Sequence, residues 1–237
     1  MTLNHIVRIP KKIIMGGVKM FTIFLPWKLK RIVLQHVFGY KISPSAHIGF
    51  AYVYPKHLRM ESGAVIKHLN VVINLDDVIM EENALIDRSN WITGYPTGTD
   101  SDFFKSEQDR KSQLVLGANS VITKNHHFDC TNQITIGKFV TIAGYSSQFL
   151  THSVNLYTNS QGSRQITIGD YCFISTRVII LGGTSLPQKS VLAAGAVLNK
   201  SFCDDEPYGL YAGVPAKRQK DIDKTAKYFY RTNRDVI

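Results

Sequence analysis

The chain of 237 residues is 44% hydrophobic and 19% charged, which is enough material for one globular domain with short extensions. Residues 1–60 hold ten Lys and Arg and no Asp or Glu, whereas residues 61–237 hold 18 of each charge, so the net charge of +10 belongs to the first quarter. Three scattered cysteines are too few for a disulfide framework or a cysteine-based zinc site. Because the basic excess lies in an apolar segment and no nucleic-acid-binding motif is present, we expect no nucleic-acid partner.

Residues 1–40 form a basic amphipathic segment. Within it, residues 18–39 mix large apolar side chains with Lys and Arg, which predicts one or two helices interrupted at Pro26. Two compatible interpretations stay open: a helical cap on the domain that follows, or peripheral contact with a membrane surface. The apolar stretch from Ile13 to Trp27 is too short and too interrupted to predict a spanning helix or a signal peptide.

Residues 41–202 show a period of six. Shorter runs at this spacing, such as Leu116, Ile122 and Phe128, precede one long unbroken run. That run consists of Ile168, Ile174, Ile180, Leu186, Leu192 and Leu198, and a small or β-branched residue stands four positions after each of the first five. The period fits neither an α-helix nor simple strand alternation. It predicts an all-β solenoid, a parallel β-helix whose coils of about eighteen residues stack their aliphatic side chains inside.

Two polar stretches, residues 95–113 and 153–165, interrupt the period and predict loops that leave the solenoid. After residue 202 we expect a C-terminal segment, 203–237, in which residues 221–234 form a short helix or tail. The predicted organisation is therefore an N-terminal segment at 1–40, a β-helix at 41–202 with a loop at 95–113, and a C-terminal segment.

Three motifs together resemble one family. They are ITIG at 166–169, the unbroken repeats at 168–202, and AGVPAK at 212–217. The chain resembles the bacterial hexapeptide-repeat acetyltransferases, especially those that acetylate galactosides, maltose, and capsule or lipopolysaccharide sugars. The resemblance implies left-handed coils, a homotrimer, and acetyl transfer from acetyl-CoA to a sugar hydroxyl without a metal. It also implies a cytoplasmic enzyme, able to rest on the inner membrane, whose acceptor is a sugar or a lipid-linked saccharide of cell-surface polysaccharide biosynthesis.

The resemblance also suggests catalytic residues. His152 matches the family histidine that lies just before the last repeats, where an imidazole can remove the proton of an attacking hydroxyl. In the segment at 124–132, His126 and Asp129 match a His-x-x-Asp sequence of some polysaccharide acetyltransferases, while His127 and Asn125 remain alternatives. These residues could face His152 across a subunit boundary, or they could form a polar ladder that satisfies backbone groups at a coil corner.

The acetyl-CoA site is carried over by position in the family motifs. The matching residues are Thr176, Ala194, Asn199, Lys200 and Lys217. Lysines near the surface suit the phosphates of the cofactor. The alternative interpretation of the last cluster is a solvated basic tail.

Other functions stay open at this point. An N-acyltransferase on an amino sugar, or one that uses an acyl carrier protein as donor, would need the same base. A non-catalytic β-helix scaffold is possible because fold does not fix function. A zinc carbonic anhydrase on the same fold would need three converging histidines, and the usual histidine pair five residues apart is missing.

Overall fold

The computed structural model describes residues 11–236. It begins with two helices, α1 at Lys11–Phe24 and α2 at Trp27–Phe38. The predicted interruption falls at Pro26, which adopts an extended backbone (φ −52°, ψ 144°) because proline has no N–H to continue a helix. Gly39 ends α2 in the left-handed conformation (φ 69°), and its N–H donates to the carbonyl of Leu34. Within residues 11–236, neither of these helices has the length and apolar character needed to cross a bilayer.

Short strands follow in groups of three, and each group makes one coil. The first four coils contain β1 Lys41–Ile42, β2 His47–Ile48, β3 Tyr52–Tyr54, β4 His57–Met60, β5 Val65–Ile66, β6 Val71–Ile73, β7 Asp77–Met80, β8 Leu85–Ile86, β9 Trp91–Thr93, β10 Gln113–Leu116, β11 Val121–Ile122 and β12 His127–Asp129. The chain continues with β13 Ile134–Ile136, β14 Thr141–Ile142, β15 Gln148–Leu150, β16 His152–Asn155, β17 Ser160–Ser163, β18 Ile166–Ile168, β19 Phe173–Ile174, β20 Ile179–Leu181, β21 Thr184–Leu186, β22 Val191–Leu192, β23 Val197–Leu198, β24 Gly209–Ala212 and β25 Lys217–Asp221.

The coils stack through three parallel sheets. The chain visits the sheets in turn, so each strand of a coil pairs with the equivalent strand of the coils before and after it. The third sheet, which contains β3, β6, β9, β12, β15, β20 and β23, is the one that positions the candidate site. This arrangement is a parallel β-solenoid, as the period of six predicts.

The solenoid interior is filled by the predicted aliphatic residues. All six members of the run from Ile168 to Leu198 are at most 1% exposed. Parallel registers such as Ile136↔Ile168 and Ile168↔Leu186 place each side chain directly on its equivalent in the next coil. One coil cannot bury its own inner face, so stability comes from the contacts between neighbouring coils.

The two ends of the solenoid are closed differently. At the first coil, α2 places Leu34 in the core and the Trp27 ring 4.9 Å from the His47 ring, which is the predicted cap. At the other end, β24 joins the second sheet beside β22, and β25 returns antiparallel to β24. A cis peptide bond precedes Pro215 in the turn between them.

The polar stretches differ in structure. Residues 94–112 connect β9 to β10 without a strand of their own, close to the predicted loop at 95–113. The stretch predicted as a loop at 153–165 is instead mostly a β-hairpin, β16–β17. The C-terminal stretch predicted as a helix or tail holds a 3-10 turn at Lys227–Tyr230, whose Phe229 is buried. Alternating polarity in residues 152–163 is too weak to predict the hairpin.

Candidate active site

The site begins with a pair of residues on successive coils. Strands β12 and β15 are parallel neighbours, and Asp129 at the end of β12 lies opposite Leu150 at the end of β15. The chain then turns, so that the backbone N–H groups of Thr151 and His152 donate to Asp129 Oδ2 at 3.1 Å each. The imidazole follows, and His152 Nδ1 lies 2.6 Å from the same oxygen. A rigid parallel register thus joins two residues that are 23 positions apart.

The carboxylate of Asp129 is held as an anion. Burial alone would raise its pKa, but hydrogen bonds from His152 and Thr131 outweigh burial and lower the pKa to about 2. Thr131 supplies both its backbone N–H (3.1 Å) and its hydroxyl (2.6 Å) to the second carboxylate oxygen, Oδ1. Because every lone pair faces a donor, Asp129 is fixed in position as well as in charge.

The imidazole of His152 is more basic than an ordinary histidine. Its hydrogen bond to Asp129 raises its pKa, and partial burial opposes this only in part. An Nδ1–H that donates to a carboxylate leaves the lone pair of the neutral ring on Nε2. No residue in 11–236 hydrogen-bonds this nitrogen, and 44% of the side chain is exposed. The geometry therefore offers a proton acceptor that points away from its buried partner.

A cleft of about 240 Å³ adjoins the imidazole. Its lining comes from three successive corners at the same edge of the third sheet, those that follow β15, β20 and β23. The lining residues are Leu150, Thr151, His152, Ser153, Arg164, Leu181, Gly182 and Asn199. Gly182 lets the backbone of its coil approach that of the preceding corner, because a Cβ there would lie 2.5 Å from the carbonyl oxygen of Thr151. His152 and Asn199, predicted for different roles, thus share one cleft.

The loop at 95–113 forms a wall beside His152. Phe104 lies edge-on to the imidazole, with 6.3 Å between ring centroids and 86° between planes. The guanidinium of Arg110 lies 4.8 Å from the Phe104 ring and donates to the carbonyls of Tyr95, Pro96 and Thr131. The loop is therefore tied to the turn that holds Asp129.

Two carboxylates complete the anchoring of this wall. Asp76 accepts from the backbone N–H and hydroxyl of Thr97 and from the N–H of Ser112, at the two ends of the loop. Glu107 accepts from the N–H and hydroxyl of Ser163 on β17. Loop and hairpin are thus joined on the side of the site that faces solvent.

His126 is placed apart from this pair. It precedes β12 whereas Asp129 ends it, so the two residues of the His-x-x-Asp sequence lie at opposite edges of the sheet. The side chain is buried, its Nδ1 accepts from the N–H of Ser147 (3.2 Å), and its Nε2 lies 3.0 Å from the hydroxyl of Thr123. Burial lowers its pKa to about 4.

The surroundings of His126 match the polar-ladder interpretation. The backbone N–H of His126 donates to the side chain of Asn90, whose own N–H donates to Asn70 one coil earlier. His126 thus continues an asparagine ladder at a coil corner. The neighbouring His127 is exposed, and Asn125 adopts the left-handed conformation (φ 55°) at the turn.

The predicted cofactor residues lie around the same sheet. Thr176 and Ala194 precede β20 and β23, and the N–H of Gly195 donates to the carbonyl of Thr176, so they lie in successive coils at one edge. Asn199 and Lys200 follow β23 at the other edge, where His152 lies; the Lys200 ammonium is 4.8 Å from the Phe202 ring. Lys217 is exposed at the start of β25. Neither lysine forms an ion pair within residues 11–236.

Several residues of this site were not predicted from sequence. Thr131 had a usable signal, because an Asp often accepts from the backbone N–H two residues later. Arg110, Phe104 and Arg164 had none, since their roles depend on how the loop and hairpin fold back. Within residues 11–236, no group of three His, Cys, Asp or Glu side chains is arranged to hold a metal ion.

The repeat of six and the stacked coils define a hexapeptide-type β-solenoid, and comparison with known proteins agrees. The chain is 33% identical over 123 residues to galactoside O-acetyltransferase of Escherichia coli (strain K12), a match that covers 50% of this chain and 59% of that protein. It is also 33% identical over 114 residues to a protein of Staphylococcus aureus (strain Mu50) named as an acetyltransferase, covering 46% of this chain and 56% of that one. No protein-family model matches the chain.

A solved structure supports the fold. The crystal structure of the polysialic acid O-acetyltransferase OatWY aligns with a TM-score of 0.53 at 18% identity, over 77% of this chain and 84% of that one. The relatives and this structural neighbour are all named as acetyltransferases, which confirms the resemblance predicted from the motifs. The chain spans less than two thirds of the length of the curated relatives it matches.

Proposed function

We propose that the protein is an acetyl-CoA-dependent O-acetyltransferase that acts on a sugar hydroxyl in the biosynthesis of a cell-surface polysaccharide. The observation that carries this proposal is the His152–Asp129 pair, whose free Nε2 opens onto the cleft that also contains Asn199. The galactoside O-acetyltransferase among its relatives supports the choice of a sugar acceptor. Left-handed coils, a homotrimer and a cytoplasmic location belong to the same proposal, on the strength of the family resemblance.

The proposed reaction uses His152 twice. Its Nε2 takes the proton of the sugar hydroxyl while the hydroxyl oxygen attacks the thioester carbonyl of acetyl-CoA. The tetrahedral intermediate then collapses, the C–S bond breaks, and the imidazolium returns the proton to the departing thiolate. Asp129 stabilises the imidazolium because it stays ionised and hydrogen-bonded to Nδ1 throughout. The products are the O-acetyl sugar and free CoA, so no atom or charge is left over.

The residues matched to the acetyl-CoA site fit that cofactor in chemical type. In the cleft, Asn199 supplies an amide for the amide-rich pantetheine arm. Along the opposite edge of the sheet, Thr176 and Ala194 have small side chains that protrude little from the surface. Lys200 and Lys217 are exposed cations that suit the phosphates. We assign these five residues to the donor and leave to the acceptor the space between the loop and the hairpin, whose lining includes Phe104, Lys105 and Val154.

Thiol release from acetyl-CoA tests the proposal over a panel of sugars, amino sugars and glycan fragments. We expect turnover with hydroxyl acceptors and a loss of about 10²–10⁴-fold in His152→Ala with acetyl-CoA binding retained. His57→Ala is the matched control, because His57 also pairs with an aspartate but lies on a different sheet. Full activity in His152→Ala would overturn the base assignment. Turnover confined to amine acceptors would replace the O-acetyltransferase with an N-acetyltransferase.

A further inference from the structure

The two N-terminal helices carry a set of large apolar side chains that the rest of residues 11–236 leaves mostly exposed. Each of these side chains is more than half exposed. They are Ile13, Ile14, Met20, Phe21 and Phe24 on α1, and Leu29, Ile32 and Val37 on α2. We call this set the N-terminal apolar face. Contiguous exposed apolar surface of this kind marks an interaction site in a folded protein.

The spacing of these residues forms a stripe along α1. Ile13, Met20 and Phe24 recur at intervals of seven and four, which places them on one side of a helix. The opposite side carries Thr22 and Ile23, which are buried against the protein. The stripe also extends onto the first coil, because the ring of Phe24 lies 5.3 Å from the partly exposed ring of Phe50.

Capping of the solenoid does not use this face. The cap is made by the inner side of α2, where Leu34 enters the core and the ammonium of Lys30 donates to the carbonyl of Gly49 at 2.6 Å. Lys30 is only 3% exposed, and this burial lowers its pKa to about 8. The exposed apolar residues therefore remain available after the cap has formed.

Charge around the face has a single sign. Residues 1–60 contain ten Lys and Arg and no Asp or Glu. Among the described residues, Lys28 lies beside Leu29 and is exposed, and Lys41 and Lys56 are exposed on the first two coils, where Arg59 pairs with Glu61. An apolar stripe in a segment that carries basic and no acidic residues complements a surface that is apolar inside and anionic outside, which is a bilayer with anionic headgroups.

We propose that the N-terminal apolar face lies on an anionic lipid bilayer, with Phe21 and Phe24 at the acyl boundary and the lysines among the headgroups. The helices lie on the surface, since neither is long enough to cross it. Attraction to the anionic headgroups weakens with salt because the contribution of each lysine is screened.

The candidate site lies a few coils along the solenoid from the two helices. The helices contact β1 and β3 of the first coil, whereas Asp129 and His152 follow strands of the fourth and fifth coils. Neighbouring strands lie about 4.8 Å apart, so the site is about 14–19 Å along the solenoid axis from the first coil. If the proposed function holds, that distance suits an acceptor sugar carried on a membrane lipid.

Vesicle co-sedimentation of the full chain tests the proposal. We expect binding to vesicles of phosphatidylcholine with phosphatidylglycerol, little binding to phosphatidylcholine alone, and weaker binding as salt rises. The double variant Phe21→Glu/Phe24→Glu should lose at least about tenfold in partitioning. The matched control is Leu156→Glu/Tyr157→Glu on the hairpin tip, where both residues are even more open to solvent than Phe21 and Phe24 but distant in sequence from the helices. This control should bind vesicles as the wild type does.

Two further measurements keep the outcomes distinct. Thermal melting should show that both double variants fold, and turnover of a water-soluble acceptor without vesicles should be unchanged in Phe21→Glu/Phe24→Glu. Loss of vesicle binding with turnover retained supports the membrane proposal whatever the acceptor is. Equal binding to neutral and anionic vesicles would overturn it. Absence of vesicle binding by the wild type would also overturn it. If the mass of Phe21→Glu/Phe24→Glu in light scattering then fell below that of the wild type, the face would instead join copies of the chain.

Discussion

Two histidines on one sheet of this solenoid have opposite environments. His126 precedes β12, is 2% exposed, and has both ring nitrogens engaged by Thr123 and Ser147. His152 follows β15 at the other edge, pairs with Asp129 through one nitrogen and leaves the other free. Burial lowers the pKa of the first, and the aspartate raises the pKa of the second. A histidine at a coil corner can exchange a proton with a ligand only if its ring points outward and keeps one nitrogen free. The corner that it occupies decides this.

Among the variants that test the difference between the two histidines, the one that removes only the charge of Asp129 should have the largest effect on turnover. Asp129→Asn keeps the shape of the side chain but takes away the cause of the raised pKa of His152. We expect turnover to fall roughly 10- to 100-fold, less than in His152→Ala. The base works when neutral, so wild-type activity falls as pH drops through the raised pKa. In Asp129→Asn that acid limb should move to lower pH in a profile of kcat/KM.

The chain provides a matched control for this variant. Asp77 lies 3.2 Å from His57 Nδ1 on the first sheet, in an exposed pair of the same chemistry. Asp77→Asn should leave both the rate and the pH profile unchanged. An acid limb that stays in place in Asp129→Asn would show that the carboxylate does not set the basicity of His152.

The two histidines also show how far sequence can predict this molecule. The period of six predicts which residues are buried, because a solenoid repeats one local rule in every coil; Ile174 and Leu192 are both fully buried as expected. Asp129 and His152 were both predicted as site residues, yet their contact depends on a register between coils that no local pattern encodes. The family resemblance instead matched Asp129 with His126, three positions earlier, as a His-x-x-Asp sequence, although a strand places the two at opposite edges. The anchors of the loop depend on tertiary folding of an aperiodic segment.

Loosening the wall beside His152 should have an intermediate effect. Arg110→Met keeps the length of the side chain but leaves the carbonyls of Tyr95, Pro96 and Thr131 without their donor. We expect a loss of about 1–3 kcal/mol in the free energy of unfolding. Turnover should fall several-fold, mainly through KM for the acceptor, because Phe104 no longer has a fixed partner. Hydrogen exchange in residues 95–113 should speed up.

Lys105→Met on the same loop is the control for Arg110→Met. Its ammonium pairs only with Asp102 at an exposed position, and such pairs contribute little to stability. Stability and hydrogen exchange in the loop should therefore stay at wild-type values. If Arg110→Met left exchange in the loop unchanged, the wall would be held by Asp76 and Glu107 without it.

Replacing His126 should have the smallest effect on turnover and the most specific effect on stability. Asn90 and Asn70 serve the same corner one and two coils earlier, so His126→Asn extends an existing ladder. The folded pKa of His126 is about 4 against 6.5 for an ordinary histidine, so between these values the unfolded chain binds the extra proton. Stability therefore falls as pH drops from 6.5 to 4, by up to about 3 kcal/mol from this residue.

Thermal melting from pH 7 to pH 4 measures this difference. His126→Asn should lose less Tm on acidification than the wild type, because asparagine does not titrate, while its turnover at pH 7 stays within about twofold. Asparagine is used because its side chain can still accept from the N–H of Ser147. Alanine would leave that N–H unsatisfied, so a loss of stability could be mistaken for a loss of catalysis. If the His126→Asn protein folds but its turnover is strongly reduced, His126 belongs to the acceptor site. Its burial would then be a property of the isolated chain only.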